Sequence, residues 1–587
     1  MSFLSRIMVL KSKAHFNTGA GGREIGAPAP LTFEGTRKSV GGQTRNRIAI
    51  MIGAFTIVYA VIGGRLVQYG MTAPQTVASI MRADNTVASR PDILDRNGEV
   101  LATDVRTVSL FVEPHKVVDP DEALELLSTV LPNLDTKATY KKLTHKSHFQ
   151  WLSRQLTPKQ QSEILALGIP GIGFRPAKRR FYPSGPVAAH FVGYVNIDNR
   201  GVGGMEKYLD TQGLADLAEL GMTSVNAKLE PVRLSMDLRV QNIVHDVLVT
   251  AMENYKAIGA GAVVLDANTG EVVALGSMPD FDPNNPAETI DRKTKSDMNR
   301  VSGGVFEMGS TFKAFTSAMA LDSGKVTMND TFDARRPLYI GGFTIHDFHA
   351  TRRILSVTDV FVHSSNIGSA KMADAVGIDG HKEFLTRLGL LTRLNTELPE
   401  TATPSQPKVW KKITSMTVAF GHGVSTTPLQ TAVAAAALMN GGKLIQPTFL
   451  PRTLEQADEN AVLVLKPKTV ENMRMLFRAN VIDGSGRRAD TPGLLVGGKT
   501  GTAEKVVNGR YSNSVRFNAF IAVFPITDPK YVVLTIIDEP KVPHKGCGVT
   551  AGCNAGIMAG EIIRRAAPLL GVKPRFGLDG TALLESY

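Results

Sequence analysis

Lys499-Thr500-Gly501-Thr502 is the most informative short stretch in this chain of 587 residues. It lies in an extended run between a glycine pair at 497–498 and a valine pair at 506–507, which predicts a β-strand. A glycine inside a strand marks a place where another backbone comes close, so a substrate peptide can add to the strand there. Lys499 and the threonine hydroxyls can hold a carboxylate. Taken alone, the stretch is also compatible with a lysine in a surface hairpin.

Two predicted hairpins place this strand in an antiparallel sheet. The first hairpin joins residues 262–265 to 271–275 through a turn rich in Asp, Asn and Gly, and the second joins 520–524 to 531–537. A helix is predicted over 554–567, where the pattern ends at a proline. These elements predict an α+β fold in which helices cover the faces of an antiparallel sheet.

A candidate nucleophile lies upstream, in Gly309-Ser310-Thr311-Phe312-Lys313 at the start of a helix predicted to run to Gly324. The spacing of three residues puts Lys313 beside Ser310. A lysine that is desolvated in a cleft has a lowered pKa and can take the proton of a serine hydroxyl. The free N–H groups at the start of the helix favour a developing oxyanion.

A third candidate stretch, Ser364-Ser365-Asn366, is predicted to form a short loop between two helices. Ser364 can relay a proton, and Asn366 can hold a substrate amide or the lysine. Considered alone, the tripeptide is more typical of a plain helix cap.

The serine–lysine and serine–asparagine patterns are weak by themselves, because chance copies of both occur in the same chain, whereas Lys-Thr-Gly is rarer by chance. Ser405-Gln406-Pro407-Lys408 repeats the Ser-x-x-Lys spacing, but its proline is incompatible with the helix that the spacing requires. Ser224-Val225-Asn226 repeats Ser-x-Asn. The order Ser-x-x-Lys, Ser-x-Asn, Lys-Thr-Gly is far more specific, and it is typical of penicillin-binding proteins and class A β-lactamases. On these motifs the chain resembles class B penicillin-binding proteins, most closely the septal, cell-division D,D-transpeptidases.

The resemblance extends over nearly all of the chain beyond residue 47. Residues 90–102 resemble the first motif of the family's pedestal domain, and Arg180-Phe181-Tyr182-Pro183 through Glu206 resembles the later ones. The family's architecture implies an α+β multidomain protein with an elongated pedestal over 67–232 and a penicillin-binding-protein/β-lactamase-like transpeptidase domain over 233–587. Pro91 and Met308 depart from the family, where Gly and Pro are more usual.

The resemblance also implies a reaction and its site. A serine attacks the D-Ala-D-Ala of a pentapeptide stem, an acyl-enzyme forms, and an amine from a neighbouring stem resolves it. No metal or organic cofactor is implied, and β-lactams are expected to acylate the same serine. The implied roles are nucleophile for Ser310, general base for Lys313, proton shuttle for Ser364, substrate binding for Asn366, Lys499, Thr500, Gly501 and Thr502, and an oxyanion hole from the N–H groups of Ser310 and Thr502.

A single membrane anchor is predicted over residues 48–66, because residues 48–64 carry no charge and can cross a bilayer as one helix. The preceding 1–47 contain eight Lys or Arg residues but two Glu residues, which predicts a cytoplasmic tail, with little apolar pattern, and a catalytic part outside the inner membrane. A cleaved signal peptide is the competing interpretation. The expected partners are a polytopic septal glycan polymerase and other division proteins.

Composition narrows the remaining choices. The net charge is +12, but neither zinc-ligand spacing nor an RNA-binding signature accompanies it, so nucleic acid is not an expected partner. Cys547 and Cys553 are the two cysteines; they are compatible with one short disulfide or with two unpaired thiols. Rival functions are a β-lactamase or carboxypeptidase, an elongation-specific transpeptidase, and a noncatalytic penicillin-binding scaffold or sensor.

Overall fold

The computed structural model forms two compact units, residues 1–85 and 86–587. The parts of the chain that it describes are 36–71, 90–214, 229–507, 509–542 and 548–576. Three of the stretches considered above lie wholly or partly outside them: the tail up to residue 35, Ser224-Val225-Asn226, and Cys547.

The described part of the first unit forms a helix, Thr36–Met71. It includes the predicted anchor at 48–66, and apolar side chains such as Phe55 and Tyr59 are exposed along it. No helix in the described part of the chain combines the length with the apolar character that a bilayer crossing requires.

The described part of the second unit begins with a sheet built around a long strand, Val100–Val112. This strand pairs antiparallel with three others, and a parallel partner extends the sheet beyond Ile93–Leu94. The partner strands are Ile93–Leu94, Gln150–Leu156, Ile172–Phe181 and Val232–Arg233. The helices that cover one face around Leu110 and Leu127 are Pro120–Val130, Thr136–Leu143 and Pro158–Ala166. Shorter helical turns span Pro114–Lys116, Gly185–Ala188, Ala189–Val192, Gly204–Leu209 and Asp210–Leu214.

A buried ion-pair network ties the pedestal motifs together. Arg180 Nε donates to Glu206 at 2.6 Å, and Arg90 Nε donates to the other oxygen of the same carboxylate at 2.8 Å. Arg180 also donates to the carbonyl of Pro91 at 2.8 Å. Charges buried this deeply are stable only as pairs, which explains why the motif residues at 90, 180 and 206 occur together. The acceptor is a main-chain carbonyl, which any residue at 91 supplies, so the departure to proline leaves this contact intact.

The rest of the second unit contains a five-stranded sheet with strands β1 Gly259–Asp266, β2 Val272–Met278, β3 Gly497–Val507, β4 Arg510–Phe524 and β5 Tyr531–Asp538. Their order in the sheet is β3-β4-β5-β1-β2, and every neighbouring pair is antiparallel. Both predicted hairpins are confirmed, as β1–β2 and β4–β5. The predicted Lys499 strand is confirmed as β3, at the edge of the sheet.

Helices cover both faces of this sheet, which confirms the α+β class. Alternate side chains of β4 point to opposite cores: Phe520 packs with helices Leu238–Tyr255 and Ala555–Ala566, whereas Ile521 packs on the other face, in the core that contains Phe312. The helices on the face of Phe312 and at its periphery are Pro286–Thr289, Phe312–Asp322, Val357–Val362, Asn366–Val376, Ile378–Arg387, Lys412–Val418, Pro428–Ala437, Leu454–Glu459 and Pro467–Ile482. Short ribbons pair Thr331–Asp333 with Ile354–Ser356, Leu338–Ile340 with Phe343–Ile345, and Lys443–Leu444 with Val462–Leu463.

Candidate active site

Ser310 lies in a tight helical turn, Gly309–Thr311, that continues into the helix Phe312–Asp322. Gly309 has φ +55°, a conformation that favours glycine. The carbonyl of the buried Met308 accepts hydrogen bonds from the N–H and the hydroxyl of Thr311, at 3.4 and 2.8 Å. The turn therefore presents Ser310 at the start of the helix, as the sequence predicts.

Lys313 is buried on the next turn of this helix, with an exposed fraction of 1%. Its described hydrogen bonds go to Ser364 rather than to Ser310: Nζ donates to the carbonyl oxygen at 2.5 Å and to the hydroxyl at 3.0 Å. Burial, together with the charge on Lys499, holds the pKa of Lys313 well below its usual range. A neutral amine of this kind can act as a base.

Ser364 lies in the loop between helices Val357–Val362 and Asn366–Val376, with φ +55°. Its hydroxyl accepts from Lys313 Nζ and also from Lys499 Nζ, at 3.1 Å. A hydroxyl has two acceptor lone pairs and one donor. Ser364 can therefore contact both amines and still donate its own proton.

Lys499 is fully buried on β3. Its Nζ also donates to the carbonyl of Thr500 at 3.3 Å and lies 5.6 Å from the centre of the Phe361 ring. Burial lowers the pKa of Lys499 to about 7. Near neutral pH this amine is thus balanced between its charged and neutral forms.

Gly501 has no side chain where the Ser310 turn, Gly309–Thr311 (the nucleophile turn), packs against β3. A Cβ atom at this position would lie 2.3 Å from the Met308 carbonyl oxygen and 2.7 Å from Cγ2 of Thr311. A Cβ on Gly309 would likewise lie 2.9 Å from the carbonyl oxygen of Thr502. The Ser310 turn is therefore the described neighbour that requires residue 501 to have no side chain. This close approach brings the backbones of Ser310 and Thr502 together.

The two threonines of β3 have separate partners. The hydroxyl of Thr500 lies 2.5 Å from the hydroxyl of Ser485, and the hydroxyl of Thr502 accepts from the N–H of Ala551 at 3.1 Å. Ser485 lies in no motif that the sequence analysis recognised.

Asn366 is held at the edge of the site, where its Nδ2 donates to the carbonyl of His346 at 2.8 Å. The neighbouring Asp347 accepts from the Ser365 hydroxyl at 2.9 Å and from the N–H of Ile367 at 3.0 Å. Asp347 thus fixes the loop that carries Ser364. Sequence reasoning missed Asp347 because it lies in an irregular segment without a recognisable pattern.

Comparison with known proteins identifies the family. The penicillin binding protein transpeptidase domain matches residues 260–559, and the penicillin-binding protein dimerisation domain matches 85–214. A probable peptidoglycan D,D-transpeptidase FtsI from Caulobacter vibrioides is 39% identical over 501 residues, covering 84% of this chain and 83% of the relative. This chain belongs to the class B penicillin-binding proteins.

Other penicillin-binding proteins agree with this assignment. Peptidoglycan D,D-transpeptidase FtsI of Escherichia coli K12 is 29% identical over 548 residues, covering 88% of this chain and 91% of the relative. A solved apo structure of the TP domain of Burkholderia pseudomallei penicillin-binding protein 3 has 29% identity and a TM-score of 0.52, and it covers 58% of this chain and 98% of the solved chain. The two-domain α+β transpeptidase fold is thereby shown.

The structure also describes Ser405, in the chance copy of Ser-x-x-Lys, and Cys553, whose pairing the sequence left open. Ser405 forms an isolated β-bridge with Ser425, so the spacing of Ser405 and Lys408 is not helical. Cys553 is disulfide-bonded and follows Ala551, which contacts Thr502; Cys547 lies outside the described residues.

Proposed function

We propose that this chain is a peptidoglycan D,D-transpeptidase of septal cell-wall synthesis, which works through an acyl-enzyme on Ser310. The observation that carries the proposal is the Ser364 hydroxyl, held between the buried amines of Lys313 and Lys499 at 3.0 and 3.1 Å. This arrangement connects a base beside the nucleophile with a second amine on the strand that would hold the substrate.

In the first half-reaction, the Ser310 hydroxyl oxygen attacks the carbonyl carbon of the D-Ala-D-Ala bond, and its proton passes to neutral Lys313. The N–H groups of Ser310 and Thr502 donate to the oxyanion. Collapse of the tetrahedral intermediate breaks the C–N bond. The leaving D-Ala amine takes a proton that reaches it through Ser364, and an ester on Ser310 remains.

In the second half-reaction, an amine from a neighbouring stem attacks the ester carbonyl. The excess proton of the amine passes to the Lys313–Ser364 pair, and the Ser310 oxygen leaves and takes up a proton. Because the Ser364 hydroxyl contacts both lysines, a proton can pass between either amine and the reacting atoms through this one hydroxyl. The same geometry supports acylation of Ser310 by a β-lactam, which mimics the dipeptide.

Substrate recognition is assigned to the edge of β3 and to the loop opposite it. Lys499 and the hydroxyl of Thr500 would hold the terminal carboxylate of the stem. The hydrogen bond from Asn366 Nδ2 to the His346 carbonyl fixes the orientation of the Asn366 side chain. In that orientation Asn366 would hold a backbone amide of the substrate. No metal or organic cofactor has a part in these steps.

The placement in the cell is part of the proposal. The uncharged run and the positively charged tail support a cytoplasmic segment 1–47, a membrane span 48–66, a pedestal 67–232 and a periplasmic transpeptidase domain 233–587. The names of the FtsI relatives favour septation over elongation. The proposed partners are a polytopic septal glycan polymerase and other division proteins, reached through the anchor and pedestal.

Mass spectrometry of the detergent-solubilised full chain after brief exposure to penicillin tests this function. A stable adduct on Ser310, absent from Ser310→Ala, is the expected result. No adduct on folded protein would contradict the proposed enzyme and favour a noncatalytic scaffold. Rapid loss of the adduct with turnover of the drug would favour a hydrolase.

A further inference from the structure

Glu307 lies three residues before Ser310 and joins three separate segments. Its Oε1 accepts from the N–H of Gly423 at 2.8 Å and from the hydroxyl of Tyr511 at 3.0 Å. Gly423 belongs to a turn that follows helix Lys412–Val418, and Tyr511 lies near the tip of the β3–β4 hairpin. These partners are separated from Glu307 by 116 and 204 residues of sequence.

The Gly423 turn packs directly on the nucleophile turn. A Cβ on Gly421 would lie 2.0 Å from the carbonyl oxygen of Gly309. The hydroxyl of Thr316, one helical turn after Lys313, donates to the carbonyl of Ala419 at 2.7 Å. The segment from 419 to 423 therefore contacts the Ser310 helix at its first turn and again farther along.

Stacked aromatic rings connect the segments around Glu307 with β4. The Tyr511 ring stacks on the ring of His422, with centroids 5.1 Å apart and planes inclined by 16°. One residue before Glu307, the Phe306 ring stacks on Phe517 of β4 at 4.4 Å. Phe306 also exchanges two backbone hydrogen bonds with Thr426, each of 3.0 Å.

The Glu307 carboxylate suits a fixed role rather than a solvated one. Its Oε2 is buried and has no hydrogen-bond partner among the described residues, so both described contacts fall on one oxygen. Burial raises the pKa of this carboxyl. A buried acceptor with two directed donors specifies the geometry of the groups that bind it.

We infer that Glu307 is a positioning residue for acylation, which fixes the Ser310 turn against the Gly423 turn and the Tyr511 end of the β3–β4 hairpin. This inference rests on the proposed function. Glu307 acts through Gly423 and Tyr511, and it touches no reacting atom. A displacement of the nucleophile by a fraction of an ångström changes the rate of the chemical step more than it changes substrate binding.

The test is the acylation of the full chain by a fluorescent penicillin, with the acylation rate constant and the initial dissociation constant resolved from the concentration dependence. In Glu307→Ala, we expect the rate constant to fall by about tenfold or more at an unchanged dissociation constant. Glu307→Gln retains an acceptor oxygen and is expected to stay within about threefold of the wild type. Glu288→Ala, an exposed glutamate in helix Pro286–Thr289 that takes no part in these contacts, is the matched control.

Tyr511→Phe provides an independent measurement, because it removes one donor and leaves the stacked ring. It is expected to slow acylation by about threefold, and Glu307→Ala/Tyr511→Phe is expected to be no slower than Glu307→Ala. Losses that multiply, wild-type rates in both single variants, or a loss confined to the dissociation constant would overturn the inference. If Glu307→Ala does not fold, a wild-type rate in Tyr511→Phe would overturn it alone. A wild type that penicillin fails to acylate would instead overturn the proposed function.

Discussion

The hydroxyl oxygen of Ser364 lies 3.1 Å from Nζ of Lys499. The same oxygen accepts from Lys313 at 3.0 Å, and both lysines are buried. Two buried amines that share one hydroxyl cannot both carry a charge without a large electrostatic cost. One amine is therefore available as a base while the other holds a proton, and Ser364 lies on the path between them.

Removal of this hydroxyl tests the connection. In Ser364→Ala, acylation by penicillin is expected to fall by about 100-fold, the usual range for a lost proton-transfer group. Stopped-flow measurement with a fluorescent penicillin gives the rate. Ser323→Ala, at the exposed end of the Ser310 helix, should leave it unchanged, and a Ser364→Ala rate within about threefold of the wild type would contradict the proton path.

The pH dependence of acylation should report Lys499. Its pKa is lowered to about 7 by burial, and its charged form is the one that would hold the substrate carboxylate. The second-order acylation rate constant is therefore expected to fall as pH rises through about 7, by about tenfold per pH unit well above the pKa. Arginine stays charged over this range. The acylation rate constant of Lys499→Arg should therefore be lower than that of the wild type and independent of pH from about pH 6 to 9. A wild-type profile that is flat over this range would contradict the assignment.

Burial of the charged form of Lys499 should lower the free energy of unfolding of the protein. The folded pKa of this lysine, about 7, lies below the reference value of 10.5, so the unfolded chain binds more protons between these values, and stability rises with pH across this window. Below about 7 the full cost remains. Lys499→Met should raise the free energy of unfolding at pH 6 by roughly 2 kcal/mol and flatten its pH dependence. Denaturant unfolding measures both quantities; a lower stability with an unchanged slope would contradict the prediction.

Local patterns in the sequence predicted most of the catalytic fold. The hairpins β1–β2 and β4–β5, the Ser310 helix and the Lys499 strand all follow from turn residues and periodicity within about 20 residues. The helix predicted over 554–567 is observed as Ala555–Ala566, with the Asn554 side chain at its start. Such elements are specified locally, so one sequence is enough to find them.

Contacts between distant segments were beyond the same reasoning. Lys499 and Ser364 are 135 residues apart, and Glu307 and Tyr511 are 204 apart. The Asp347 carboxylate, which fixes the Ser365 loop, belongs to no periodic element. The sequence indicated that a backbone approaches Gly501, but only the fold identifies the Ser310 turn as the described neighbour.

Gly501 gives a sharp test of how closely the site is packed. A Cβ there would lie 2.3 Å from the Met308 carbonyl oxygen, and backbone cannot move aside as a flexible side chain can. Gly501→Ala should therefore displace the Ser310 turn, slow acylation by at least about 100-fold, and lower the melting temperature by several degrees through overpacking. Gly203→Ala is the matched control, because nothing lies within 4 Å of its Cβ position and its φ is −151°. Penicillin acylation and thermal unfolding of both variants decide the matter: a Gly501→Ala protein that acylates like Gly203→Ala would mean that the β3 edge and the nucleophile turn can separate without loss of function.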